Sequence, residues 1–128
     1  NKVQPGKRPL SSMSPTLVEK NGKIVMALGA PGGPRIITSV LNILYRTLTT
    51  QTDLDRAIQM PRVHHQFLPD KTFVDSDYRF APETLDGLRK KGHEVEESWM
   101  ALGFAVQYKD NMINAAYDSR GDGAVGGF

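Results

Sequence analysis

Three features of the sequence predict a layered α+β fold. Ile36, Ile37, Val40, Leu41, Leu44, Tyr45 and Leu48 recur at three- and four-residue spacing, the period of an amphipathic helix. Apolar segments at 16–19 and 23–28 flank Asn21-Gly22, and segments at 104–108 and 112–116 flank Asp110-Asn111. Both dipeptides tolerate the positive φ that a tight hairpin turn demands. Strands and helices alternate irregularly with hairpins prominent, which favours antiparallel layers over a parallel sheet.

Taken in order, 1–9 is polar and turn-rich around Pro5-Gly6, and it runs into the small hydroxyl-bearing stretch Leu10-Ser11-Ser12-Met13-Ser14-Pro15. The first hairpin follows. Its second strand, ending near Leu28, feeds Gly29-Ala30-Pro31-Gly32-Gly33-Pro34-Arg35, with Pro34 suited to the first position of the long helix. Residues 53–58 predict a short helix capped by Thr52 or Asp53. The proline-bounded segment Pro61 to Pro69 reads as extended, and 72–74 as a strand. Residues 82–91 read as a helix closed by Gly92, with Leu85 and Leu88 facing inward, and 93–98 as a strand. Trp99 and the other aromatics read as core. The second hairpin precedes a glycine-rich tail from Asp118 to Phe128. Folding back the first hairpin brings the Ser11-Ser12 region towards the end of the strand that carries Gly32-Gly33.

The bulk properties bound the function. A chain of 128 residues is one domain or part of one. A net charge of +2 is too small to argue for nucleic acid or an acidic membrane, and the basic Lys2, Lys7 and Arg8 have no interleaved aromatics. There is no cysteine, which excludes disulfides, thiolate metal sites and cysteine nucleophiles. No apolar run approaches the ~20 residues of a membrane span, and no signal peptide is visible. The first residue is Asn1, not Met, so the chain reads as a processed or truncated piece, or one from which a tag was removed.

A glycine-rich turn between a strand and a helix leaves backbone N–H groups uncovered at the positive end of the helix dipole. Gly32 and Gly33 are therefore candidates for holding an anion, or an oxyanion that exists only during a reaction; a turn required for packing is the other reading. A phosphate loop needs a Lys-Ser or Lys-Thr pair after its last glycine, where this chain has Pro34-Arg35, and the third glycine of a dinucleotide fingerprint is missing. Ser11 and Ser12 can be loop residues, nucleophiles or donors to a substrate carboxylate; neither an adjacent base nor a glycine-flanked elbow supports a nucleophile. Hydroxyls close to Lys7 and Arg8 suit a carboxylate. His64 and His65, adjacent in an extended segment, point to opposite faces and are poorly placed to share a metal ion. They read as buried, hydrogen-bonded histidines. Asp118 and Arg120 read as a structural ion pair or a turn.

The stretch Pro5-Gly6-Lys7-Arg8-Pro9-Leu10-Ser11-Ser12-Met13-Ser14-Pro15-Thr16 resembles the signature of the gamma-glutamyltranspeptidases, also called gamma-glutamyltransferases. The 29–37 loop, Pro61-Arg62-Val63-His64-His65-Gln66, Gly92-His93 and Asp118-Ser119-Arg120-Gly121 occur in the same order in that family. The resemblance implies the C-terminal part of the small, catalytic subunit, 1–128 being a single-domain fragment of the four-layer αββα sandwich of the N-terminal-nucleophile hydrolases. It implies a precursor that cuts itself to expose a threonine, whose hydroxyl attacks a γ-glutamyl amide such as that of glutathione. The acyl group then passes to water, an amino acid or a peptide. It assigns the substrate α-carboxylate to Ser11 and Ser12 and the oxyanion hole to the N–H groups of Gly32 and Gly33.

No cofactor is expected, and no cluster of Asp, Glu and His at metal-ligand spacing completes a metal site. The partners that the resemblance implies are the remainder of the small subunit and the large subunit, in a periplasmic, secreted or cell-surface location. Pro34 stands where the family often has serine, so that amide can contribute nothing. A threonine nucleophile uses its own α-amine as base and must be residue 1, which here is Asn1. The family's acidic residue for the substrate α-amine has no counterpart before Ser11, and its carboxylate-binding arginine belongs to the large subunit. The chain is thus expected to carry half a site and to be inert alone. A relative acting on a different acyl donor (a cephalosporin acylase or poly-γ-glutamate depolymerase) and a non-catalytic scaffold are the alternatives.

Overall fold

The computed structural model describes residues 2–127; Asn1, read above as a processed or truncated start, and Phe128, the last residue of the tail, lie outside the described residues. The strands β1 (Thr16–Lys20) and β2 (Lys23–Gly29) form the first hairpin, with Asn21 and Gly22 both at positive φ. β6 (Phe104–Lys109) and β7 (Met112–Tyr117) form the second, with Asp110 and Asn111 both in the left-handed region. The hairpins join through β2 and β6 into an antiparallel sheet of order β1-β2-β6-β7. Helix α1 (Arg35–Leu48) and helix α2 (Leu54–Gln59) cover one face of it. Met26 and Leu28 of β2, Ile36, Val40 and Ile43 of α1, Leu54 and Ile58 of α2, and Ala101, Ala105 and Ala116 make the core.

A second, smaller sheet has the order β3 (Val63–His64), β4 (Thr72–Asp75), β5 (Val95–Ser98), with α3 (Pro82–Lys90) between β4 and β5 in the chain. β3 and β4 are antiparallel, but β4 and β5 run parallel. The layered α+β class holds with this one parallel pair among the described residues, because a helix lies between the two strands and returns the chain to the end of the sheet where β4 began. Pro82 opens α3, and Gly92, at positive φ, follows its end. Leu85 and Leu88 are only partly buried, so α3 has no fully covered side chain. Only Val63 and His64 of the proline-bounded segment form a strand; beyond them Phe67 turns the chain through positive φ.

Two apolar surfaces stay open. The register aligns Leu17, Ala27, Val106 and Ala115 across the large sheet, on the face opposite Leu28, Ala105 and Ala116. Leu17 and Val106 are exposed there, as are Phe104, Tyr108 and Ile113 on the same face. On α1 the covered line is Ile36, Val40, Ile43 and Thr47, while Ile37, Leu41, Tyr45 and Leu48 face solvent. The apolar arc of this helix is wider than the one sheet beneath it can cover. Trp99 departs from its expected core position, with 51% of its surface exposed.

Candidate functional site

β2 ends at Gly29, and the turn that follows is shaped by two successive positive φ angles, 142° at Gly32 and 59° at Gly33. The chain is held on its inner side, where the Leu102 N–H donates to the Pro31 carbonyl at 3.2 Å. On the other side the Ile36 N–H donates to the Gly33 carbonyl at 3.1 Å, beginning the helical path. Pro34 occupies the N-cap with helical torsions, one place before the position expected, and α1 proper begins at Arg35. Neither Gly32 nor Gly33 spends its N–H on a partner among the described residues; Gly33 is exposed and Gly32 half-buried.

The electrostatics around this turn are equally open. None of the three helices has a side-chain cap, but α2 and α3 carry Asp55 and Glu83 in their first turns, whereas α1 has no acidic residue there. The positive end of the longest helix in the molecule therefore has no side chain answering it locally. An anion reaching the tip meets two free N–H groups and an uncompensated dipole.

Ser11 and Ser12 leave the same end of the sheet. Thr16 pairs with Leu28, so the chain before Thr16 and the chain after Gly29 depart side by side. Ser11 is exposed and its Oγ accepts the Met13 N–H at 3.3 Å; Ser12 is half-buried, and its carbonyl accepts the Ser14 hydroxyl at 3.2 Å. The Ser12 hydroxyl has no partner among the described residues. No hydrogen bond joins the serines to the glycine turn there, so the two clusters share an edge without touching through polar groups.

Behind the turn stands a cationic stack that the sequence did not disclose. The Arg35 guanidinium lies between the rings of Phe73 and Trp99, 4.9 Å and 4.4 Å from their centroids, and donates to the Ser98 hydroxyl at 2.9 Å. Trp99 is half-exposed because it covers a charge, not a hydrocarbon core. His64 stacks on Phe73 with centroids 6.1 Å apart. The Gln66 side-chain nitrogen donates to the Leu68 carbonyl, which turns its oxygen to His64 Nε2 at 2.9 Å. Nε2 is then the protonated nitrogen, and Nδ1 faces the Thr38 hydroxyl at 2.7 Å, whose single proton also lies within reach of the Arg35 carbonyl at 3.2 Å. Burial lowers the His64 pKa, and nearby Arg35 and His65 add to that, against the Gln66 hydrogen bond. His65 points the other way, is exposed and faces Asp70 at 3.1 Å, so burial holds for one histidine of the pair.

Asp118 and Arg120 do pair, at 2.8 Å, but as part of a larger buried cluster. Arg62 pairs with Asp118, and Arg120 with Asp75, all four side chains essentially sealed from solvent. Asp118 also accepts the Gly103 N–H at 2.8 Å, and Arg62 donates to the Ala101 carbonyl at 2.8 Å. Arg120 donates to the carbonyls of Ile58 and Met60, each at 3.1 Å, and stacks on Tyr78. Burial pushes the Asp118 carboxyl up; the hydrogen bonds from Arg120 and Gly103 and the charge of Arg62 outweigh it and hold the pKa below the ordinary 3.8. Because Ala101 and Leu102 back the turn, this cluster anchors the wall on which Gly32 rests.

The gamma-glutamyltranspeptidase family model matches residues 1–128. The chain belongs to the gamma-glutamyltranspeptidase family. It is 47% identical over 95 residues to the glutathione hydrolase proenzyme of Escherichia coli, a match covering 74% of this chain and 16% of that protein. It is 36% identical over 126 residues to the glutathione hydrolase proenzyme of Pseudomonas aeruginosa, covering 96% of this chain and 23% of that one. Among solved structures, the gamma-glutamyltranspeptidase of Pseudomonas nitroreducens superposes with a TM-score of 0.90 at 34% identity, over all of this chain and 68% of that one. The chain thus spans less than a quarter of the length of these two curated relatives. Its α+β architecture is part of the N-terminal-nucleophile hydrolase sandwich that these structures share.

Proposed function

We propose that these residues are the C-terminal portion of the small subunit of an enzyme that cleaves the γ-glutamyl amide of glutathione and related compounds. One observation carries the reading: two adjacent N–H groups, unpartnered, at a positive-φ turn on the open end of α1. When a threonine hydroxyl adds to the amide carbonyl, its proton passes to the threonine's own α-amine, a C–O bond forms and the carbonyl oxygen takes the negative charge. Gly32 and Gly33 N–H stabilise that oxyanion. Collapse breaks the C–N bond, the threonine's own amine returns the proton to the leaving amine, and the acyl-enzyme passes to water or an amino acid. Ser11 and Ser12 donate to the substrate α-carboxylate.

The nucleophile and the remaining contacts come from segments outside these 128 residues, within a self-cleaving precursor whose large and small subunits stay together. By the same family reading the enzyme works in the periplasm or outside the cell. The test is turnover of a γ-glutamyl anilide by the full-length precursor. Ser11→Ala and Ser12→Ala should raise KM more than they lower kcat, as loss of a contact equal in ground and transition states does. A large kcat loss at unchanged KM would refute the carboxylate role, and turnover by the 128 residues alone would refute the shared site.

A second reading keeps the chemistry and changes the donor. The chain also superposes on the transpeptidase CapD of Bacillus anthracis, with a TM-score of 0.79 at 26% identity. The sequence resemblance already offers such donors, so a poly-γ-glutamate depolymerase or a cephalosporin acylase is the competing assignment. Comparing rates on glutathione, poly-γ-glutamate and a cephalosporin side-chain amide separates the three.

A further inference from the structure

The turn that carries Gly32 and Gly33 has little intrinsic rigidity, since both residues are glycines in torsions that side chains avoid. An oxyanion hole stabilises charge only if its donors are already aimed when the charge appears. Something must therefore hold the turn, and its contacts identify what does. The segment from Ser98 to Leu102 lies directly behind: Leu102 N–H is bonded to the Pro31 carbonyl. Ala101 presses so closely on Gly32 that an added Cβ would lie 2.8 Å from its Cα. The Trp99 ring is 3.4 Å from the same point. One side chain bridges this segment to the far side of the turn. Arg35 follows Pro34 in the chain, and its guanidinium stacks on Trp99 and Phe73 and donates to Ser98.

Arg35 has no carboxylate partner among the described residues, and its Nε is buried without a hydrogen bond. A guanidinium kept there unpaired, when the molecule pairs Arg62 and Arg120 elsewhere, is held by stacking and by a single hydroxyl. Both ends of the glycine turn are thereby tied to the 98–102 segment, Pro31 through a backbone bond and Arg35 through the stack. We propose that Arg35 is a positioning residue for the oxyanion turn, acting through Trp99 and Ser98 to fix the direction of the Gly32 and Gly33 N–H groups. The inference rests on the assignment of those N–H groups to the oxyanion.

The experiment uses the full-length precursor, with rates expressed per processed active site. Wild-type turnover of a γ-glutamyl anilide tests the underlying assignment; without it, that reading fails before this one is reached. Given wild-type turnover, Arg35→Lys keeps the charge but loses the planar stack and is expected to lower kcat about 10- to 100-fold, with KM changed less than threefold. A boronic acid in place of the γ-amide, which adds the nucleophile and mimics the tetrahedral intermediate, should lose affinity in step with kcat. Trp99→Phe, which preserves a stacking face, should restore most of the rate lost in Trp99→Ala. Where Arg35→Lys yields no processed enzyme, Ser98→Ala carries the test, with an expected threefold or greater fall in kcat at constant KM. Lower thermal stability with kcat and boronate affinity within twofold of wild type would overturn the proposal and leave Arg35 a structural residue.

Discussion

Gly32 and Gly33 need to be glycine for different reasons. At Gly32 an added Cβ runs into Ala101, whose backbone cannot step aside, and the φ of 142° is one that side chains rarely adopt. At Gly33 there is open space, and only the left-handed φ of 59° resists a side chain. Gly33→Ala is therefore expected to cost about 1–2 kcal/mol, and Gly32→Ala distinctly more, with the larger loss of turnover. Thermal unfolding of both variants checks the order; equal losses would mean that Ala101 is not a rigid wall. Asp118 sets a second residue-scale test. It compensates Arg62 and Arg120 together, so Asp118→Ala leaves buried charge unpaired and should cost about 3–5 kcal/mol. Its lowered pKa means that this stabilisation is complete above pH 3.8 and is lost as pH falls through the native value. In the variant, the acid limb of unfolding free energy against pH should flatten. The sequence made Asp118 and Arg120 legible as a pair because they sit two apart. Arg62 and Asp75 reach them from distant segments, and no local pattern announces such a meeting.

At the scale of elements, the hairpins and α1 were legible because each is written in a local code. Asn21-Gly22 and Asp110-Asn111 supply positive φ where the turn needs it, and the apolar period from Ile36 to Leu48 is that of a helix. The parallel pairing of β4 with β5 was not, since direction there depends on where α3 delivers the chain. Trp99 was misjudged for a related reason: an aromatic beside an unforeseen arginine is a lid over charge. His64 ties two elements, β3 and α1, through its bond to Thr38. Because burial keeps it neutral, the unfolded chain takes up a proton more readily than the folded one. The stability that it contributes is present above pH 6.5 and is lost as pH falls through the lowered native value. His64→Gln should thus give a flatter dependence of stability on pH on the acid side of 6.5, read by urea unfolding at a series of pH values. An unchanged slope would assign that dependence to another group.

For the molecule as a whole, the large sheet is apolar on both faces, and only one face is covered by α1 and α2. A sheet that is half of a two-layer protein alternates apolar with polar; one inside a sandwich does not. Leu17, Ala27, Val106 and Ala115 line up across four strands on the open face, with Phe104 and Ile113 beside them. This is the pattern of an inner layer, and it accords with the four-layer architecture of the family. Such a face imposes opposite demands on the fragment and on a longer protein that carries it. Placing lysines at Leu17 and Val106 in the 128 residues alone should lower binding of a hydrophobic dye and reduce self-association, because an exposed apolar patch is removed. The same pair in the full-length precursor should destabilise it by about 1.5–3 kcal/mol or more per site, the worth of a buried aliphatic side chain, with unpaired charge added. Dye fluorescence and light scattering on the fragment, set beside thermal unfolding of the precursor, read the two signs. If the substitutions leave the precursor's stability unchanged, the open face is no inner layer, and the chain's place in the sandwich would have to be redrawn with α1's exposed stripe of Leu41 and Tyr45 as the buried surface instead.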